Sequence, residues 1–416
     1  MLTPTDDVAG PLADGRHVAL LRNATLGGGE VADVVLEGGA IREIREPSLD
    51  PVGAGELDLT GYLLLTAGAE PHAHLDKALS WNEIRPPMGD LGTAIASWRE
   101  YSAHLTVESI AARAERAATA LLANGTTAIR THVDLLAGPD PLRGVHALVA
   151  VRERLREMMD IQLVALCPYD IGDDVLEDAL DLGVDLVGGS PHHTPDPSGD
   201  LRRLLAVAQR RDVGVDMHTD EQLNPGSLTL EEMAGVVRDW PRHRRVTAGH
   251  CVSLGTLDAE VLARVVAAVQ GARIGIVTLP ITNLYLQGWD HPVSTPRGLT
   301  AIRALLDAGV PLGAGADNVR DPFNPLGRSD ALETAMLLVT AGHLTTAEAY
   351  RAVSTGAREV MGLPDASVRP GGVADLLAIR ATDLEDAIAT ASPERYVLKG
   401  GRLVAAARLE RSVYRG

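Results

Sequence analysis

The chain is short of cysteine, lysine and aromatic residues, and each shortage excludes something. Its two cysteines, Cys167 and Cys251, form no CxxC or finger spacing, so neither a disulfide framework nor a thiolate zinc site is supported. Basic residues are almost all arginine; the lysines are Lys77 and Lys399 alone. At a formal net charge of −18, the chain lacks the basic surface that nucleic acid or an anionic membrane requires, and the acidity reads as a solubility feature. No uninterrupted apolar run reaches the roughly 18 residues of a membrane span. The opening MLTPTDDVAG has neither the basic start nor the apolar run of a secretory signal. The expectation is a cytoplasmic enzyme without nucleic-acid or membrane partners. The charge neither favours nor forbids a homo-oligomer.

What is present is a large apolar fraction, 45% of 416 residues, enough for a sizeable core. Length alone suggests two or three domains, although barrels of this scale are common as one unit. Both ends read as β. HVALLRNATL and VADVVLEGGAIREI near the start, GGVADLLAIRA and YVLKGGRLVAAA near the end, are apolar strands around Gly-Gly turns. The echo of Leu36-Glu-Gly-Gly-Ala-Ile in Leu398-Lys-Gly-Gly-Arg-Leu predicts two hairpins of one type in a shared sheet. That makes a small discontinuous β-sandwich domain, residues 1–62 plus 364–416, wrapped around an insert at 63–363.

The insert alternates strand and helix. Short apolar strands are predicted at 62–69, 126–133, 161–167, 184–189, 213–218, 245–250, 273–279 and 310–316, without helical period, as strands buried on both faces should be. Helices are predicted at 107–124, 141–158, 198–211, 256–270 and 297–308. In the first of these, Ile110, Ala114, Ala117, Ala118 and Leu121 share one face. Eight strands, each followed by a helix, predict a (β/α)8 TIM-like barrel.

Polar residues collect where those strands end. The first runs into His72 and His74; the second ends at Arg130, His132 and Asp134; the fourth leads to His192 and His193. The fifth ends at His218, with Asp220 and Glu221 beyond; the sixth ends at His250; the eighth ends at Asp317 and Asn318. In such a barrel the active site lies at the C-terminal strand ends, and histidines with unrelated structural jobs would not keep choosing that end. Side chains two apart on a strand point the same way, so His72 and His74 can take one cation. A lone HxH is a poor signal; joined to histidines on the fifth and sixth strands and an aspartate on the eighth, it is a strong one. His17, His104, His146, His243, His291 and His343 lie away from the strand ends and read as surface or structural residues.

The stretches EPHAHLDK, RTHVD, DLVGGSPHHTPDP, VDMHTDEQLN, VTAGHCVSL, LPITNLYLQG and GADNVRDPFNPLGRSD resemble the amidohydrolase superfamily, in particular its cytosine-deaminase-like branch near the s-triazine aminohydrolases. The resemblance spans about residues 18–407. It implies His72, His74, His218 and Asp317 as metal ligands, Glu221 as proton shuttle, and His250 as the histidine that orients or deprotonates the attacking water. Binuclear relatives bridge two metals with a lysine after the fourth strand; here that place reads Val187-Gly188-Gly189-Ser190. The expectation is one divalent metal ion, zinc or iron, both of which suit a His₃Asp set.

The implied activity is a metal-dependent aminohydrolase, a deaminase of a cyclic amidine or amino-substituted N-heterocycle. The alternatives are hydrolysis of a cyclic amide or N-alkylamino heterocycle, and a non-catalytic binding module. Departures from cytosine deaminase bear on the small-molecule heterocyclic substrate. Pro168 replaces a glutamine that grips the pyrimidine, Asn318 replaces a second aspartate, and Pro191-His192-His193 replaces Pro-His-Phe. Lys77 reads as a substrate contact, as a surface lysine, or as one paired with Asp76. His192 contacts substrate or caps its loop; His193 and Asn283 are candidate substrate contacts. His132 and Asp134 read as structural, and Arg130 as the partner of a barrel acid.

Overall fold

The computed structural model describes residues 16–414. The stretch MLTPTDDVAG, and residues 1–15 of the expected small domain, lie outside the described residues.

Five strands precede the first long helices: β1 (Leu20–Thr25), β2 (Val31–Glu37), β3 (Ala40–Arg45), β4 (Glu56–Asp58) and β5 (Tyr62–Thr66). The next eight are β6 (Gly68–Ala73), β7 (Thr126–Asp134), β8 (Asp160–Leu166), β9 (Leu186–Gly188), β10 (Gly214–Thr219), β11 (Val246–His250), β12 (Gly275–Thr278) and β13 (Leu312–Ala314). They pair in sequence order in one parallel sheet. A parallel bridge from Ala73 to Asp317 joins its two edges, so the sheet is a nearly closed barrel with helices between its strands. Three more strands follow: β14 (Leu376–Arg380), β15 (Arg395–Lys399) and β16 (Arg402–Ala407). They join the first five in a second sheet, ordered β16-β15-β14-β5-β1-β2-β3 with β4 on β1.

The two Gly-Gly hairpins do share this sheet. Bridges His17–Arg402 and Ala40–Val373 fold its ends together around a separate apolar core that includes Leu21, Val34, Leu64, Leu376 and Leu398. The stretch expected as one barrel strand, 62–69, divides. Tyr62–Thr66 pairs antiparallel with β14 in the small sheet, and the barrel strand begins at Gly68. The crossing therefore falls at Ala67, past the expected boundary at 62/63. Nothing in YLLLTAGA signals the break, because both halves are fully buried.

Local chemistry explains the elements that hold the barrel. The helix Val107–Ala123 opens on a reciprocal cap in which Thr106 and Ser109 each bond the other's backbone. It buries the apolar face expected of it, together with Arg113. Arg113 donates to the carbonyls of Asp76 and Ala78 at 2.9 Å each, tying that helix to the loop after β6. Predicted helices 141–158 and 297–308 are shorter in fact, Arg143–Leu155 and Ile302–Asp307.

Candidate metal and catalytic site

The strand ends bring four residues of the expected ligand set together. Nε2 of His218 lies 3.2 Å from Nε2 of His72 and 3.0 Å from Nε2 of His74. Asp317 Oδ1 lies 3.3 Å from His74 Nε2 and 3.9 Å from His72 Nε2. All four side chains are buried. Close packing is possible because position 249 is glycine: a Cβ there would stand 2.7 Å from Cε1 of His72.

These residues fit a divalent cation. Three ring nitrogens converge, yet each neutral imidazole has one N–H and one lone pair, so they cannot all satisfy one another. Both carboxylate oxygens of Asp317 lack a hydrogen-bond partner among the described residues. Burial, then the nearby Glu221, pushes the Asp317 carboxyl well above its ordinary range. Burial, reinforced at His74 by Lys77 and at both by the crowding of neighbouring histidines, holds His74 and His218 well below the usual imidazole value, which leaves lone pairs free to ligate. A cation would use those lone pairs and offset the buried carboxylate.

Next to this cluster sit the two expected proton carriers. His250 Nδ1 is 3.2 Å from Glu221 Oε1, and His250 Nε2 is 3.8 Å from Asp317 Oδ2. Burial raises Glu221 to about 8 and lowers His250 well below its usual value. The chain turns sharply at this end: Asp220, His250, Cys251 and Asp317 all have left-handed backbones, φ 49°, 67°, 50° and 65°. Such residues cost about 1–3 kcal/mol each. At Asp220 the turn is held from outside, by Ser227 Oγ at 2.8 Å and the amides of Thr229 and Leu230 at 3.0 Å each.

The other candidates divide. Pro168, His193, Asn318 and Lys77 line a cavity of about 670 Å³ above the cluster, together with Trp98 and Phe323. Lys77 is buried, not on the surface. Its Nζ donates to Asp134 Oδ1 at 2.6 Å and lies 3.0 Å from His74 Nδ1, while Asp76 is 3.9 Å away. Asp134 also accepts from Trp98 Nε1 at 2.7 Å, so it serves the cavity wall. Asn318 donates to Asp321 at 2.8 Å. Asn283, expected to meet substrate, is instead fully buried with its Nδ2 3.1 Å from His250 Nδ1. It is one of the buried residues of the helix Pro280–Leu286 and packs against His250 there. His192 is buried behind His193, with neither ring nitrogen in a hydrogen bond of ordinary geometry.

Sequence reasoning overlooked an acidic layer beneath the histidines. Asp216 Oδ2 accepts from Arg130 at 2.8 Å, while its Oδ1 lies 3.5 Å from His132 Nε2 and 3.8 Å from His72 Nδ1. Glu70 accepts from the amides of Ala316 (2.8 Å) and His72 (3.3 Å) across the seam where the barrel closes. Its carboxyl fills the gap left by Gly315, where a Cβ would stand 1.9 Å from Glu70 Oε1. The signal was available: Asp216 and Glu70 each lie two residues before a ligand histidine, on the same strand face.

Residues 92–405 match the Amidohydrolase family. The chain belongs to that family. It is thus an enzyme, a hydrolase of non-peptide C–N bonds, with a His/Asp cluster able to bind a metal. A pterin deaminase from Rhizobium rhizogenes is 33% identical over 90% of this chain and 87% of its own length. Among solved structures, a 5-methylcytosine deaminase from Klebsiella pneumoniae, liganded with 5-fluorocytosine, superposes with a TM-score of 0.86. It is 27% identical, over 95% of this chain and 99% of that one. An N-isopropylammelide isopropylaminohydrolase from Burkholderia multivorans has a TM-score of 0.79 at 30% identity, over 93% and 98% of the two chains. No helix among the described residues is long and apolar enough to cross a membrane.

Proposed function

We propose that this amidohydrolase is a deaminase that removes an exocyclic amino group from a bicyclic amino-substituted N-heterocycle of pterin type. The observation that carries the reading is Glu221, a carboxyl raised to about 8, beside His250 and at the floor of the cavity with His218 and Asp317. A general acid–base works best with a pKa near the operating pH. The cavity of about 670 Å³ lies in the range that encloses a drug-sized ligand, so a bicyclic ring with a substituent fits. Two of the relatives above are deaminases of amino-heterocycles by name.

In this proposal His72, His74, His218 and Asp317 hold one divalent ion, zinc or iron. Such an ion, when bound, lowers the pKa of a water molecule and polarises the group it attacks. His250 orients that water and is itself held by Asn283. Glu221 takes a proton and delivers it to a ring nitrogen, which makes the neighbouring carbon a better electrophile. Left as a carboxylate, Glu221 would then take the second proton of the added water from the new hydroxyl and pass it to the amino group, so that the C=O bond forms as the C–N bond breaks and the amine leaves. Lys77 and Asn318 reach the cavity floor and would pair with a ring oxygen, which Pro168 cannot do. The two free thiols, Cys167 and Cys251, accord with a reducing cytoplasm.

The aminohydrolase relative supports a second reading, loss of an N-alkylamine. Protein of known metal content, incubated with pterins, cytosines and N-alkylamino triazines and assayed for ammonia and for alkylamine, separates the two. Ammonia from a pterin supports the proposal; alkylamine release alone, or no amine from any of them, overturns it. In the same assay Lys77→Met should raise KM about tenfold or more while keeping the metal; unchanged kinetics would remove the lysine from substrate binding.

A further inference from the structure

The turn Pro191–His193 after β9 places two histidines side by side, and the deamination above gives neither a chemical task. Their rings lie 4.0 Å apart, centre to centre. His192 is 7% exposed; the backbone carbonyl of His218 acts on its ring, yet neither ring nitrogen makes a hydrogen bond of ordinary geometry. A contact with that carbonyl occupies one nitrogen at most and leaves the lone pair of the other, deep in the protein, without a use. Ligating atoms of His192, His193 and Glu221 all lie within 4.8 Å of one another. This group shares no residue with the His72, His74, His218 and Asp317 cluster.

We propose that His192, His193 and Glu221 form a second, weaker divalent-cation site, whose occupancy shuts the enzyme down. Two histidines and one glutamate are a donor set used by zinc in catalytic sites with an open position. Ligand bonds of about 2.0–2.1 Å put neighbouring donors roughly 3.4 Å apart in a tetrahedron. The group therefore has to contract by about an ångström. His193 has the room to move, since it is exposed at the cavity while His192 and Glu221 are buried. A cation held there takes the lone pairs of the Glu221 carboxylate, which then can neither accept nor deliver a proton. Inhibition follows without loss of the resident ion. Contraction costs energy, so this ion exchanges readily, unlike the one below it.

The test starts from holoenzyme holding one ion per chain after gel filtration. Zn²⁺ is then titrated in, and bound metal is counted after equilibrium dialysis. The expected result is a second equivalent that a brief chelator wash removes while the first stays, with turnover falling by tenfold or more as it fills. His193→Ala should hold the first ion, fail to take up the second, and lose the inhibition relative to its own zinc-free rate. Stoichiometry that stays at one overturns the proposal. So does a second equivalent that His193→Ala still binds, which would locate it elsewhere, for example on His218 and His250. The metal count needs no substrate, so the site stands or falls even if the deaminase reading fails.

Discussion

Asp317 and Asp375 are both buried carboxylates, one at each end of the barrel, and their surroundings are opposite. Asp375, where the strands begin, accepts from Arg358 at 3.0 Å and Lys399 at 2.8 Å on one oxygen, and from the Gly400 amide at 2.9 Å on the other. Lys399 reaches on to Asp160 at 2.6 Å, fastening the small sheet to the barrel. Asp317, where the strands end, has no hydrogen-bond partner on either oxygen among the described residues. The chain's two lysines divide the same way. Lys399 completes a satisfied cluster, while Lys77 stands between Asp134 and a ligand histidine. Burial alone does not separate structural from functional charge; the difference lies in whether the hydrogen-bonding capacity is used up within the fold.

Four substitutions sharpen that contrast. The largest effect belongs to Asp317→Ala. Metal content and turnover should both fall to background, while the metal-free protein melts no lower than wild type, because an unpartnered buried carboxylate is removed. Elemental analysis with calorimetry reads both, and a large drop in the melting temperature of the metal-free variant would break the comparison.

Glu221→Gln comes next. Turnover should fall about 10²–10⁴-fold, the usual size of general acid–base effects, with metal retained. The same variant carries a pH signature. Glu221 has a folded pKa of about 8, above its unfolded value, so the folded state binds its proton more tightly. Its stabilising effect is fully present below the unfolded pKa and is lost as pH rises through 8. Metal-free wild type should therefore lose stability relative to Glu221→Gln between about pH 4.5 and 8, with no further divergence above. Parallel denaturation curves across that window would place the pKa elsewhere.

Asp375→Ala tests the satisfied end. It removes the buried carboxylate partner of Arg358, leaves Lys399 with Asp160 alone, and should cost about 3–5 kcal/mol of stability, with KM and kcat of the surviving folded enzyme near wild type. A kinetic defect in protein shown to be folded would mean that the two ends communicate. The smallest effect is expected of Asn283→Ala. A residue that holds a catalytic histidine in orientation costs about 10–100-fold when removed, and the loss should fall on kcat. A rise in KM alone would return Asn283 to the substrate.

Much of this site was legible in the sequence because its residues sit at the ends of predicted strands, where local pattern and barrel geometry agree. His72, His74, His218, His250 and Asp317 were found that way, and the six histidines away from strand ends are all exposed. What stayed hidden depends on partners far off in the chain. Asp216 acquires meaning from Arg130, and Glu70 from the amide of Ala316, 246 residues away. Neither partnership has a local signature. Asn283 was expected to meet substrate; the structure shows its contact with His250, which the sequence did not announce because it depends on how a short helix packs. The division of 62–69 was hidden for the same reason: pairing of Tyr62–Thr66 with β14 is a long-range choice that a run of apolar residues does not announce.

That division bears on the order in which the enzyme is made. Ala67 alone separates β5 from β6, the strand that carries His72 into the centre. The antiparallel partner of β5 is Leu376–Arg380, which follows every barrel strand in the chain. Until that segment is made, β5 is held on one flank only, by the single Thr25–Leu63 pairing with β1, whereas β6 already has its barrel neighbour β7. The chain thus closes its small sheet only after every barrel strand has been made, when β14 to β16 clasp the strands that came first.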